Sequence, residues 1–180
     1  MSSLKPSIGR TLTFANGNAV TLKCCGTDSA GDYLILEHRI VASGAVNGPH
    51  SHPVLEETFE IVEGSMRFRV DGREIAAGPG ERIVIRPNQM HQFWNTSEAG
   101  AVLRAVHEIR PPGYHWDMFA LLHRLEAEGK LNAKGIPRNP LWLGMVWRTM
   151  DGYIAGPPRW MQRVALGGLA RLADAVGYRM

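Results

Sequence analysis

The stretch "NGPHSHPVLEETFEIVEG", residues 47–64, sets His50, His52, Glu56 and Glu57 within eight residues, just ahead of an apolar, strand-like run. Side chains two apart on an extended strand project from one face, so the two imidazoles face the same way. Along "ETFEI", Glu57, Phe59 and Ile61 share a face while Glu56 points to solvent, and a carboxylate thereby enters an otherwise apolar interior. An unpaired buried carboxylate is costly, and a divalent cation offsets that cost. A third imidazole comes from "RPNQMHQFWN", where His91 and Phe93 share a face of a later strand. Three imidazoles and one carboxylate suit one divalent transition metal (Fe, Mn, Ni, Cu or Zn) better than Mg or Ca, which prefer oxygen-only shells. Such a set leaves one or two coordination positions for a substrate or dioxygen.

Residues 10–110 must position these groups, and they read as strands of four to eight residues separated by Gly, Asn, Asp and Pro signals. Met66, Phe68 and Val70 alternate with Arg67 and Arg69 ahead of an Asp71-Gly72 hairpin turn. Short strands at this spacing predict an all-β sandwich or small barrel. In a barrel the core is also the lining of the pocket, so Phe59, Ile61, Met66, Phe68 and Phe93 are the expected pocket-lining residues. The character changes after "RPPG". Phe119, Leu122 and Leu125 have helical spacing, Asn139 and Pro140 read as the N-cap and first position of a second helix, and Pro158 opens a third. In the third helix Met161, Ala165, Leu169, Leu172 and Val176 form the expected apolar stripe, with Gly167 and Gly168 as a point of close helix packing. The expected organisation is a β unit over residues 1–113 and an extension of about three helices over 114–180.

The composition, 44% hydrophobic and 21% charged over 180 residues, is that of an ordinary globular protein. A net charge of +3, with no basic cluster woven into a reading motif, argues against a nucleic-acid partner. The excess positive charge is C-terminal: residues 114–180 hold 9 Lys and Arg against 5 Asp and Glu. Adjacent Cys24 and Cys25 are poorly placed to pair with each other and point to a reducing compartment. The opening residues lack an apolar leader core, and no run of about 18 apolar residues occurs, so the expectation is a cytoplasmic chain with no membrane span. There is no Gly-x-Ser-x-Gly, no Cys-x-x-Cys and no phosphate-binding glycine loop, which disfavours hydrolase, redox-disulfide and nucleotide chemistry. His38, His107, His115 and His123 belong to no spacing pattern and are expected to be structural or exposed. Asn95 is expected to hold a turn.

At these residues the chain resembles the cupins. Their first motif is matched by Gly44, His50-x-His52, Glu57 and Gly64, and their second by Gly80, Pro87, His91 and Asn95. Asn88 stands where many members have glycine, and Asn is the next best residue for a left-handed turn. The resemblance covers roughly residues 30–112. It implies an antiparallel β-barrel of jelly-roll type in which His50, His52, Glu57 and His91 hold one metal, and a homodimer paired through edge strands. For function it implies an enzyme, dioxygenase-like or an isomerase, cyclase or lyase, acting on a small apolar, enol-like or aromatic molecule. The alternative is a non-catalytic module that binds a small ligand or metal.

Overall fold

The computed structural model describes residues 7–41, 44–98 and 101–180. The first six residues, part of the stretch read above as lacking a leader, lie outside it. Among the described residues eleven strands precede the first long helix: β1 (Thr11–Thr13), β2 (Ala19–Asp28), β3 (Gly31–Ile40), β4 (Gly44–Ala45), β5 (His50–Ser51), β6 (Glu56–Glu63), β7 (Met66–Val70), β8 (Arg73–Ala77), β9 (Arg82–Ile85), β10 (His91–Asn95) and β11 (Leu103–Arg110). There follow α1 (His115–Ala127), α2 (Pro140–Met150), a short β12 (Tyr153–Ile154) and α3 (Arg159–Ala175).

The strands form two antiparallel sheets. One runs β1-β2-β3-β11-β6-β9, the other β12-β5-β10-β7-β8 with β4 also on β10. Alternation along each strand builds the core between them. Phe59 and Ile61 of β6, Met66, Phe68 and Val70 of β7, Phe93 of β10, and Leu103 and Ala105 of β11 meet in one buried cluster. The β7–β8 hairpin turns through Asp71 and Gly72, both at positive φ (48° and 82°), as the twist of a two-residue hairpin requires. A second cluster forms where Trp116 of α1 packs on Leu12, Leu22, Leu36 and Ile109.

The helices depart from the expected pattern in detail. In α1 the buried side chains include Trp116, Leu121 and Leu125, while Phe119 and Leu122 are half-buried. Helix α2 begins as expected, with the Asn139 side chain accepting from the Leu141 amide at 2.8 Å. The expected stripe of α3 is overturned. Met161, Leu172 and Val176 are 45%, 52% and 58% exposed, and the buried residues are Gln162, Ala170 and Ala173. The reason lies in α2, where a Cβ on Gly144 would stand 2.6 Å from the Ala170 amide nitrogen. Backbones this close admit only small residues between them, so the alanine face turns inward. The close approach is therefore at Gly144, and nothing lies within 4 Å of where a Gly168 Cβ would be.

The segment after residue 113 is built into the β structure. β12 pairs with β5 (Tyr153↔Ser51, Ile154↔His50), and Arg159 donates to the Asn88 Oδ1 at 2.9 Å and the Ser51 Oγ at 3.3 Å. Among the described residues no helix is long and apolar enough to cross a membrane.

Candidate metal centre

Glu57 comes from one sheet and the histidines from the other. His50 and His91 are direct cross-strand partners of β5 and β10, which puts their rings 4.2 Å apart. His52 follows β5 and lies 5.0 Å from the His50 ring. Glu57, second residue of β6, reaches across from the opposite layer. One ligand atom from each of His50, His52, Glu57 and His91 lies within 4.8 Å of the others. The structure thus brings together all four residues that the spacing singled out. Glu56, as expected, is exposed.

Each imidazole is oriented by a backbone carbonyl. The Nδ1–H of His50 donates to Gly48 at 2.9 Å, that of His52 to Asp151 at 3.2 Å and that of His91 to Gln89 at 3.1 Å. A carbonyl only accepts, so Nδ1 carries the proton in every ring and Nε2 presents a lone pair. The buried Nε2 of His52, Nε2 of His91 and Oε2 of Glu57 have no aligned hydrogen-bond partner, although His91 Nε2 stands 2.9 Å from Glu57 Oε2 and His52 Nε2 3.6 Å. Convergent acceptors without a donor are costly to bury, and the donor set fits a cation of the kind that imidazole and carboxylate favour together.

Charge states agree with this at His50 and His52, while in the metal-free protein His91 and Glu57 favour each other's charged forms. Burial, then the neighbouring His91 ring, push His50 down to about 4. Burial likewise lowers His52 against the pull of Glu57. Burial would lower His91 too, but the adjacent Glu57 carboxylate outweighs it and holds that ring above its ordinary value. Burial alone would raise Glu57. The rings of His107 and His91 overcome it and keep the carboxyl well below the usual carboxylate range.

Three histidines outside the motif also gather here. His107 of β11 places Nε2 2.9 Å from Glu57 Oε1, His115 opens α1 with Nε2 3.8 Å from the same oxygen, and His38 of β3 lies behind His107 at 3.1 Å. All three are buried, and burial takes His38 and His115 down to about 3. One sequence signal was available for His107: it interrupts the buried alternation Leu103, Ala105, His107, Ile109 of β11, and an imidazole on such a face needs a polar partner. His123 packs its ring edge-on against Phe14. Asn95 holds backbone as expected, donating to the Ile40 carbonyl at 3.3 Å and accepting from the Ser97 amide at 3.0 Å. Phe59, Ile61, Met66, Phe68 and Phe93 are all buried in the core cluster between the sheets.

The motif turns have the geometry their residues allow. Gly44, Gly64 and Gly80 adopt positive φ, and Asn88, in the glycine position, does so at 69°.

No curated protein matches the chain in sequence. The Schizosaccharomyces pombe Cnp3 cupin domain aligns in structure at 9% identity and a TM-score of 0.40, covering 50% of this chain and 63% of that one, so the chain spans less than two thirds of its length. Streptomyces Pac13, described as a nucleoside dehydratase, aligns at 14% identity and a TM-score of 0.43, covering 60% of this chain and 82% of that one. A sugar phosphate isomerase of the cupin superfamily from Silicibacter pomeroyi aligns at 16% identity and a TM-score of 0.44, covering 57% and 72%. The sequence profile of the cupin domain matches residues 37–107, the segment that holds both motifs and all four candidate ligands. Residues 37–107 therefore form a cupin domain within two antiparallel sheets, and among the described residues three helices follow.

Proposed function

We propose that this protein is a metal-dependent cupin enzyme. In this reading His50, His52, Glu57 and His91 hold one divalent transition metal, and a small apolar, enol-like or aromatic molecule reacts beside it. One observation carries the reading: three imidazoles, each tautomer set by a carbonyl behind it, converge with one buried carboxylate so that one ligand atom from each lies within 4.8 Å of the others. A metal bound there supplies Lewis acidity, or redox chemistry in the case of iron, manganese or copper. The chain's own part is to hold the ligands in register, keep the His50 and His52 rings neutral and exclude water. Phe59, Ile61, Met66, Phe68 and Phe93 supply the apolar surroundings, which favours an apolar reactant over a charged one.

The same reading treats residues 1–113 as the barrel unit and 114–180 as a helical extension that buttresses it. It assigns the assembly as a homodimer through an exposed sheet edge, and the location as the reducing cytoplasm, consistent with free Cys24 and Cys25. Sedimentation showing only monomer removes the dimer.

The test is elemental analysis of protein purified without chelator, beside His91→Ala. About one transition metal per chain, lost in the variant, is expected. Wild-type protein that carries none and takes up none on dialysis against Fe2+, Mn2+, Ni2+, Cu2+ and Zn2+ overturns the proposal. Oxygen-uptake and substrate-depletion screens on the metal-loaded protein then separate an enzyme, which turns over a compound, from a ligand-binding module, which turns over none.

A further inference from the structure

We propose that His107, backed by His38, is a positioning residue that fixes the Glu57 carboxylate so that only Oε2 faces the three imidazoles. This rests on the reading of Glu57 as a metal ligand. The three groups lie on adjacent strands of one sheet, β3, β11 and β6, and form a row running across the strands. Glu57 is paired in register with Ile109 and Phe59 with His107, which makes His107 the diagonal neighbour of Glu57. A diagonal pair is within reach of long side chains, and here His107 Nε2 stands 2.9 Å from Glu57 Oε1.

Chemistry gives the row a direction. A ligating carboxylate is ionised and accepts only, so the proton between Glu57 and His107 belongs on His107 Nε2. A neutral ring protonated at Nε2 has an acceptor at Nδ1, and that atom faces His38 Nε2 at 3.1 Å. His38 therefore donates to His107, and His107 turns its Nε2–H toward Glu57 Oε1, 2.9 Å away though not aligned as a hydrogen bond in this geometry. The His107 ring is fixed on its face by stacking on Phe59, at 4.0 Å between centroids and 15° between planes. Phe119 of α1 meets the His38 ring at 5.5 Å. With Oε1 faced by His107, Oε2, 2.9 Å from His91 Nε2, is the oxygen left for the imidazoles, and Glu57 would serve as a one-oxygen ligand.

A merely space-filling role predicts that an aromatic ring of similar size serves as well. Zn2+ affinity of the full chain, read by competition with a chromophoric chelator, separates the two, with circular dichroism and the melting curve of the metal-free protein as checks on folding. His107→Phe keeps the stacked ring and removes the donor. It is expected to bind Zn2+ about 10–100-fold more weakly, the usual cost of losing a partner behind a metal ligand. His107→Gln, which has a donor for Glu57 and an acceptor for His38, is expected to restore most of that loss. If His107→Phe does not fold, His38→Leu removes the outer donor alone, and a loss of about threefold or more supports the row. Unchanged affinity in these variants while His91→Ala loses binding overturns the positioning role and leaves the metal site standing. Unchanged affinity in His91→Ala as well overturns the metal site itself.

Discussion

Replacing Gly152 by alanine should weaken metal binding from outside the ligand set. Gly152 is buried between α2 and β12, and its φ is not in the left-handed region, so the backbone accepts alanine. The added Cβ, however, would sit 2.8 Å from His52 Nδ1, 2.9 Å from the Ser51 carbonyl oxygen and 3.1 Å from His52 Cε1. Ordinary contacts are about 3.5–4.0 Å, so the His52 ring must retreat by roughly 0.7 Å or more. That motion breaks the 3.2 Å hydrogen bond from His52 Nδ1 to the Asp151 carbonyl, which sets the tautomer of the ring. Loss of such an outer partner costs about 10–100-fold in metal affinity, or about 1.4–2.7 kcal/mol. The overpacked contact adds about 1–3 kcal/mol of fold destabilisation. Zn2+ competition titration measures the first effect and urea unfolding of the metal-free protein the second. A Gly152→Ala protein that binds Zn2+ within threefold of wild type refutes the argument that the segment after α2 positions His52.

Three further outcomes follow from the same geometry. In the metal-free protein burial holds His38 and His115 at about 3 and His50 at about 4, so between pH 6.5 and about 4 the unfolded chain binds protons that the folded chain refuses. The contribution of these three rings is then level above pH 6.5 and falls below it by about 1.4 kcal/mol per pH unit for each, with His91, held above its ordinary value, working the other way. The urea midpoint should be lower at pH 5.5 than at pH 7.5, and an equal or higher one contradicts this. Added Zn2+ at 100 times its dissociation constant should stabilise the fold by about 2.7 kcal/mol and raise the melting temperature, an effect abolished by chelator and absent in His91→Ala. Gly64→Ala should cost about 1–3 kcal/mol or more in urea unfolding, because φ there is +83° and the new Cβ would stand 2.8 Å from the Val102 carbonyl oxygen and against the Ser97 hydroxyl.

The four-residue cluster was legible in the sequence because its geometry is mostly local. His50 and His52 are two apart, Glu57 opens a strand whose alternation can be counted, and His91 sits at a motif spacing that sets its register against His50. The Asp71-Gly72 turn and the left-handed Asn88 were legible for the same reason, since each is decided by one residue's φ. His107, His38 and His115 were not. They reach Glu57 only through the strand order β3-β11-β6 and the placement of the α1 N-terminus, and no residue spacing encodes a neighbour relation of that kind. The inward face of α3 was hidden by a different competition. Two faces of the helix are apolar, and the one with smaller side chains is buried because Gly144 lets the α2 backbone approach Ala170.

The central claim is that one metal sits among His50, His52, Glu57 and His91, and anomalous diffraction from crystals grown with Zn2+ and measured on both sides of the zinc edge tests it most directly. The account predicts a single strong peak per chain, about 2.0–2.2 Å from three Nε2 atoms and from Glu57 Oε2, the ordinary zinc distances for imidazole and carboxylate. No peak between these four side chains, or zinc bound only elsewhere on the chain, would contradict it.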